Sequence, residues 1–552
     1  MEKRVETIQK CISNISDVEV LTPFILDDLS FIIKGKVSVK LTDENLEFDI
    51  VIYPHYPLKR HDSDTIKFFN ENLIEYGHVM KDGSICVHTP HSPILEKKLQ
   101  YEFNSLKTWI AKYYLSKEKD RQYEHLIISH KLVGGTHNKF LFTDVNYKFS
   151  KCEYGFVEYS EIGKGSYGKN HINSYIIQKF ISEKSKRIIL CKWNNTYKSL
   201  PALRARGLFV FIESPPALHN KFILTNWQDL EPYVSQEFLK FLNSFERKPS
   251  KRKKRGNKIP LFFGYNIPDG IHWQAALIEV GNFPNYAQKE KGLFVGYFDD
   301  KEIDWMMTEN CSYKYFFGRG TLTDKLTKGK ILIIGVGAIG SILATTLARG
   351  GCTQIEITDF DIKEPGNVCR SEYSFAGGIT NKVDELFAKL ISISPFIEVF
   401  FREQEFFEFS KALQDNKNFE ETLKQIFNRY DIIFDCSTDN DLMYMLNQLK
   451  LTNLVTMSIT NHAKELVCAT EPNAYSWVLH QFENVLENDT EDLHNPTGCW
   501  SPTFKASYND INVLVQYALK HINTKILQNA PIKNFVLKTD TKHGFNIKLK
   551  EF

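Results

Sequence analysis

Apolar positions along the chain change period several times, and each change marks an element. Residues 3–14 carry an amphipathic stripe at helical spacing. Three runs of alternating β-branched and aromatic residues follow, Val18–Phe24, Phe31–Leu41 and Leu46–Tyr53, and predict an antiparallel meander. After Tyr53 two prolines, Pro54 and Pro57, remove backbone donors and fix φ, so the chain turns irregular. Leu99, Phe103, Leu106 and Ile110 then return to helical spacing and predict a helix laid on the sheet. Together these make one compact α+β unit over residues 1–120. Residues 121–310 show strand-like runs at Arg187–Trp193, Gly207–Ile212 and Ala275–Val280, which predict a folded α/β or mostly β domain. From 311 to 552 the pattern is α/β. A buried strand from Lys330 runs into the helix Ser341–Arg349, strands follow at Gln354–Asp359 and from Asp431, and an amphipathic helix spans Asp510–His521.

Length supports that division, since 552 residues exceed what one core serves and suffice for three. With 42% hydrophobic and 25% charged residues the chain is ordinary for a globular protein. A net charge of +2 argues against a dedicated nucleic-acid or membrane-surface protein. No apolar run approaches the roughly 20 residues that span a bilayer, and MEKRVETIQKC lacks a signal peptide's apolar centre, so a cytoplasmic location is expected. Ten cysteines without a Cys-x-x-Cys pair weaken both a structural zinc site and a disulfide framework. The basic run Arg247–Arg255 cannot pack in a core and must be an exposed loop, either merely solvated or a docking site for an acidic partner or nucleic acid. His219 and His272 stand alone and read as structural.

Two stretches carry chemistry. Gly335-Val-Gly337-Ala-Ile-Gly340 joins a strand to a helix as Gly-x-Gly-x-x-Gly, which lets backbone approach a phosphate or ribose at a helix N-terminus. That alone suits a nicotinamide enzyme equally. The second stretch is Tyr76-Gly-His78-Val-Met-Lys-Asp-Gly83-Ser-Ile-Cys86, in the irregular part of the first unit.

Helix, meander, extended cysteine segment and helix is the order of ubiquitin-conjugating enzymes, and Gly83-Ser-Ile-Cys86 resembles that family's Gly-x-Ile-Cys. Tyr76-Gly77-His78 stands where His-Pro-Asn is usual. The resemblance implies that Cys86 carries a thioester and that His78 replaces the oxyanion-stabilising Asn through its ring N–H. The plain alternative is a buried structural cysteine.

After the glycine turn come Asp359-Phe-Asp361, Asn367-Val-Cys-Arg370, Lys382 and Thr438-Asp439-Asn440. This series resembles the ThiF/MoeB adenylating enzymes, which include ubiquitin-activating enzymes. The resemblance implies a Rossmann-like domain binding ATP and Mg²⁺, with Gly335, Gly337 and Gly340 forming the turn, Asp359 on the ribose and Asn367 near the phosphates. Arg370 and Lys382 would grip the triphosphate, and Asp439 would hold Mg²⁺, a hard cation that takes carboxylate and phosphate oxygens. Hydride transfer needs neither cation. Relatives also use an arginine upstream of the turn, often from the partner subunit, and Arg319 is the candidate.

Cys499, in Asn495-Pro-Thr-Gly-Cys499-Trp-Ser-Pro, is bracketed by Gly and Pro and is the candidate second thiol. Cys436 falls in a predicted buried strand; Cys352, Cys369 and Cys468 are the competing thiols. A conjugating-type unit ahead of an adenylating one resembles the fused activating and conjugating proteins of bacterial CBASS antiphage operons. That implies activation of the C-terminal carboxylate of a cGAS-like nucleotidyltransferase, thioester transfer from Cys499 to Cys86, ligation to a target amine, and a homodimer. Two other readings remain: an adenylating enzyme for a sulfur carrier, with Cys86 structural, and a nucleotide-binding scaffold without activity.

Overall fold

The computed structural model describes residues 2–552 apart from 62, 119–125, 127, 129–135, 204–205, 248–256, 403–416, 471–472, 487–504 and 543. Three sheets organise it. The first follows a helix at Glu2–Ser13 and has strands β1 (Val18–Leu26), β2 (Ile33–Lys40), β3 (Asn45–Ile52) and β4 (Ile66–Phe69), all antiparallel and paired in sequence order. β4 was not visible in the pattern, because its four residues are too few to show an alternation. Leu99, Phe103 and Leu106 of the helix Leu95–Trp109 are buried against Phe48, Ile50 and Phe68 of the sheet, as their spacing predicts.

The second sheet contains β5 (Thr136–Phe142), β6 (Glu153–Tyr167), β7 (Asn170–Ser182), β8 (Ile188–Leu190), β9 (Gly207–Glu213), β12 (Lys258–Ile267), β13 (Gly270–Glu279) and β16 (Asp304–Asn310). Its order is β5-β16-β13-β12-β9-β6-β7-β8, and β5 also pairs with β7. That extra pairing closes seven strands into a barrel, so the mostly β alternative describes the middle of the chain. One face of the strands fills the interior with aromatic rings, including Phe140, Phe180, Phe209, Phe262 and Trp273. The other face buries Leu208, Val210, Leu261 and Phe263 against Phe238, Leu239 and Leu242 of the helix Gln236–Arg247. Both faces are therefore apolar, which is why simple alternation failed to reveal a barrel. Two hairpins lie outside it, β10 (Ala217–Leu218) with β11 (Phe222–Ile223), and β14 (Asn285–Glu290) with β15 (Leu293–Phe298). His272 is buried between the rings of Phe142 and Tyr265, a structural position.

The third sheet runs β19-β18-β17-β20-β21-β22-β23-β24, from β17 (Lys330–Ile334), β18 (Gln354–Thr358), β19 (Glu398–Arg402), β20 (Ile432–Asp435), β21 (Leu454–Ile459), β22 (Glu465–Thr470), β23 (Phe535–Asp540) and β24 (Asn546–Glu551). The first five strands are parallel, and the last three join antiparallel. Counted from β17, the parallel order is 3-2-1-4-5, the Rossmann-like arrangement. The strand order reverses between β17 and β20, and the carboxyl ends on either side of such a point form a crevice. The predicted helix Asp510–His521 extends over Tyr508–Leu527, since Ser507 caps it in a reciprocal capping box with Asp510. Barrel and α/β sheet meet where Asn194 N–H donates to Pro395 O at 2.7 Å and Trp193 stacks on Phe396. Among the described residues no helix is long and apolar enough to cross a membrane.

Candidate active site

At the reversal point a cavity of about 470 Å³ opens. It is lined by Gly335, Gly337, Asp359, Arg370, Lys382 and Asp439 among others, so six of the predicted nucleotide residues converge. Each arrives for a local reason. β17 ends at Ile334, and Gly335 turns the chain at φ +78°, where a Cβ would lie 2.5 Å from Ser437 Cα. Gly337 precedes the helix Ala338–Arg349, with no atom within 4 Å of where its Cβ would be, so backbone faces open space. Asp359 follows β18; its carboxylate accepts from Val336 N–H at 2.8 Å and from Asp361 N–H at 2.9 Å, which ties β18's end to the glycine turn. Burial pushes the Asp359 carboxyl above its ordinary value, with the Lys382 cation opposing that shift.

Lys382 begins the helix Lys382–Ile393, is 8% exposed, and donates to Asp361 Oδ2 at 2.5 Å. The cation thus enters the site already matched with a carboxylate. Asp439 caps the helix Asn440–Gln448 by accepting from Leu442 N–H at 2.8 Å through Oδ1. Its turn is fixed from below by Asp435, which is 1% exposed and accepts from the Ser437 N–H and hydroxyl and from the Thr456 hydroxyl. Thr438 holds φ +56°, an unusual conformation for a threonine, which places Asp439 at the cavity wall. Asp361, Asp435, Ser437 and Thr438 had not been assigned roles from sequence. Their signal was position: Asp435 ends β20, and the other three lie within three residues of Asp359 or Asp435.

Three expected residues lie elsewhere. Gly340 is off the cavity wall; a Cβ there would sit 2.0 Å from Gly335 O, so its part is to let the helix cross the turn closely. Asn367 spends its side chain accepting from Glu364 N–H at 2.9 Å in a capping box of the short helix Pro365–Arg370. Arg319 lines a separate hollow with Phe316, Phe317 and Arg349 and does not line this chain's own cavity.

Cys86 is exposed, and its N–H donates to His78 O at 2.8 Å. His78 holds φ +60°, and its ring packs on Tyr113 at 4.6 Å between centroids. The extended stretch after Cys86 is fastened to the helix Leu95–Trp109: Ser105 donates to His88 O, and the buried Lys98–Glu102 pair grips Thr89 and Pro90. Cys499 and the basic run from residue 248 to Arg255 lie outside the described residues. Burial pushes the thiol of Cys352 up to about 12 and those of Cys436 and Cys468 higher still. Thiols held that high are poor nucleophiles at neutral pH. Cys369, exposed beside the cavity-lining Arg370, is the remaining alternative.

The ThiF family model matches residues 312–469. The chain carries a ThiF-family domain. Its Rossmann-like part and the cavity both fall within that match. The chain is similar to the ATP-dependent ubiquitin transferase-like protein Cap2 of Enterobacter hormaechei, 24% identical over 67% of this chain and 64% of that protein, just under two thirds of its length. The molybdopterin-synthase adenylyltransferase of Haemophilus influenzae is 27% identical over 27% of this chain and 59% of its own. Among solved structures, E. coli MccB with AMPCPP and MccA matches at 16% identity and a TM-score of 0.29, over 41% of this chain and 65% of that one. The match to the ThiF domain and to Cap2 agrees with the resemblance to fused CBASS proteins noted in the sequence.

Proposed function

We propose that the chain uses ATP to activate the C-terminal carboxylate of a protein as an acyl-adenylate and passes the acyl group through two cysteines to an amine. The observation that carries this is the meeting of Arg370 and Lys382 with Asp359, Asp439 and the glycine turn in one cavity. Its volume suits a nucleotide, and Ile334, Ile339, Leu442 and Ile459 give it an apolar side for a base. A carboxylate oxygen attacks the α-phosphorus and pyrophosphate leaves; Lys382 and Arg370 stabilise the charge that accumulates. Lys382 exchanges its hold on Asp361 for phosphate oxygens. Asp439 has one carboxylate oxygen engaged in capping and one left for Mg²⁺. The described residues contain no cluster of three or more acidic, His or Cys side chains for a metal. A single protein carboxylate fits an ion that keeps waters and binds mainly through phosphates.

A thiolate, assigned to Cys499, then attacks the acyl carbon and AMP leaves. Lys505, six residues later in the sequence, is tied by its N–H to Asn461 Oδ1 at 2.8 Å, close in sequence to the cavity-lining Ile459. Cys86 takes the acyl group by thioester exchange, and an amine attacks it, loses a proton and frees the thiol. His78 is the candidate oxyanion donor. The exchange steps are nearly isoenergetic, so ATP supplies the driving force and later steps require positioning. In this reading residues 1–120 are a conjugating-enzyme-like unit, 121–310 a connecting barrel and 311–552 the adenylating unit. The proposed substrate is a protein C-terminus, with a cGAS-like nucleotidyltransferase as the example, and the enzyme is proposed to work as a homodimer in the cytoplasm.

The test is incubation with ATP, Mg²⁺ and a cGAS-like nucleotidyltransferase, followed by gels with and without reductant. The reading expects a thiol-sensitive adduct that is lost in Cys499→Ala and accumulates on Cys499 in Cys86→Ala. An adduct lost in Cys369→Ser but kept in Cys499→Ala reassigns the first thiol. Normal conjugation by Cys86→Ala refutes the relay and favours an adenylating enzyme with a structural Cys86; no ATP–pyrophosphate exchange leaves only the scaffold.

A further inference from the structure

We propose that Lys221, on the β10–β11 hairpin beside the barrel, is a positioning residue for Cys86; this rests on the reading of Cys86 as an acyl acceptor. Lys221 is 8% exposed, deep for a lysine. It follows the turn of the hairpin β10–β11, where His219 and Asn220 hold φ +52° and +59°. Two successive residues in the left-handed region form a sharp turn of the kind that reverses hairpins. The side chain reaches a different unit. Its Nζ donates to Tyr76 O and to Val79 O, the latter at 3.0 Å.

Those carbonyls flank the turn that holds the cysteine. Gly77 O accepts from Trp109 Nε1 at 3.0 Å, and His78 O accepts from Cys86 N–H at 2.8 Å. Four consecutive carbonyls, 76 to 79, therefore each have a donor, two of them supplied by Lys221. Val79 also bridges to Ile85, so the strand carrying Cys86 hangs on the turn that Lys221 grips. Trp109 alone would fix the turn from within its own unit. The lysine adds bonds from the hairpin beside the barrel, so the hairpin's placement is transmitted to the backbone of Cys86 through two hydrogen bonds, Lys221 Nζ to Val79 O and Cys86 N–H to His78 O. Burying an ammonium is expensive unless its donors are matched, and here two of them meet the backbone oxygens of Tyr76 and Val79. Such bonds serve to present a nucleophile in a fixed geometry. The barrel is then part of the transfer machinery and not a spacer.

The experiment compares full-length wild type, Lys221→Met and Lys221→Arg. Iodoacetamide labelling of Cys86, read peptide by peptide across pH, needs no acyl chemistry. Lys221→Met is expected to slow labelling about tenfold across the pH range, while ATP–pyrophosphate exchange stays at the wild-type rate; Lys221→Arg restores most of it. Single-turnover loading of Cys86 falls by a similar factor. An unchanged profile in Lys221→Met with unchanged exchange overturns the proposal. A slowed profile in a protein whose wild type never loads Cys86 upholds Lys221 and refutes the relay. If Lys221→Met loses exchange as well, or Lys221→Arg fails to restore the profile, the lysine is a fold-wide support and the positioning role is wrong.

Discussion

Gly335→Ala is the sharpest test of the nucleotide turn. The new methyl carbon would stand 2.5 Å from Ser437 Cα and 2.6 Å from Ser437 N, where ordinary contact begins at 3.4 Å. Both neighbours are backbone, so no side chain can swing aside; the end of β17 must part from the turn after β20 by nearly an ångström. Alanine at φ +78° costs about 1–2 kcal/mol, and overpacking costs about 1–3 kcal/mol more. The sum, about 2–5 kcal/mol, is a large part of a typical domain's stability. Gly337→Ala is the control, with no atom within 4 Å of the added carbon. Its methyl enters the cavity wall and meets the ligand rather than the fold. Urea denaturation, with ATP–pyrophosphate exchange measured on the same samples, separates the two. Gly335→Ala is expected to lower the midpoint steeply; Gly337→Ala to change it far less while raising the KM for ATP several-fold. Equal midpoints for wild type and Gly335→Ala would refute the claim that strand end and turn are in forced contact.

Lys382→Met removes a cation from a site with Asp359 and Asp361 and should lower ATP–pyrophosphate exchange about 10²–10³-fold, measured at saturating ATP. Asp439→Ala loses the helix cap and about 1 kcal/mol. Asp439→Asn keeps the capping acceptor and near-normal stability, yet both lose exchange, and Mg²⁺ titration shows the defect. In the barrel, burial raises the Glu153 carboxyl, but hydrogen bonds from Ser182, Ser150, Tyr147 and Ser185 outweigh it and hold the group below its ordinary range. Its contribution is present above the unfolded carboxylate pKa and lost as pH falls through the lower folded value. Thermal melts from pH 7 to 3 should therefore show acid destabilisation that Glu153→Gln largely removes, with a neutral-pH cost of about 1–3 kcal/mol; an identical pH slope in the variant refutes the assignment.

The parts legible in the sequence share one property: their partners are close along the chain. Gly335, Asp359, Lys382 and Asp439 lie on strand ends and helix starts of one βαβ series, so the order of residues is nearly the order around the cavity. Asn367 had the right chemistry at the right spacing, but its own backbone was the nearer partner, and a capping bond to Glu364 N–H consumed it. The barrel hid for the opposite reason. β5 is joined to β16, more than 160 positions later, and no local pattern encodes that contact. Lys221 is a further case, 142 residues from Val79 and in a lysine-rich chain where one more lysine carries no signal. Cys86 could be picked out by the motif around it. What holds it in place is visible only once three separate elements, the turn at 76–79, Trp109 and the β10–β11 hairpin, have been brought together, so the placement of that thiol belongs to the assembled fold and not to its motif.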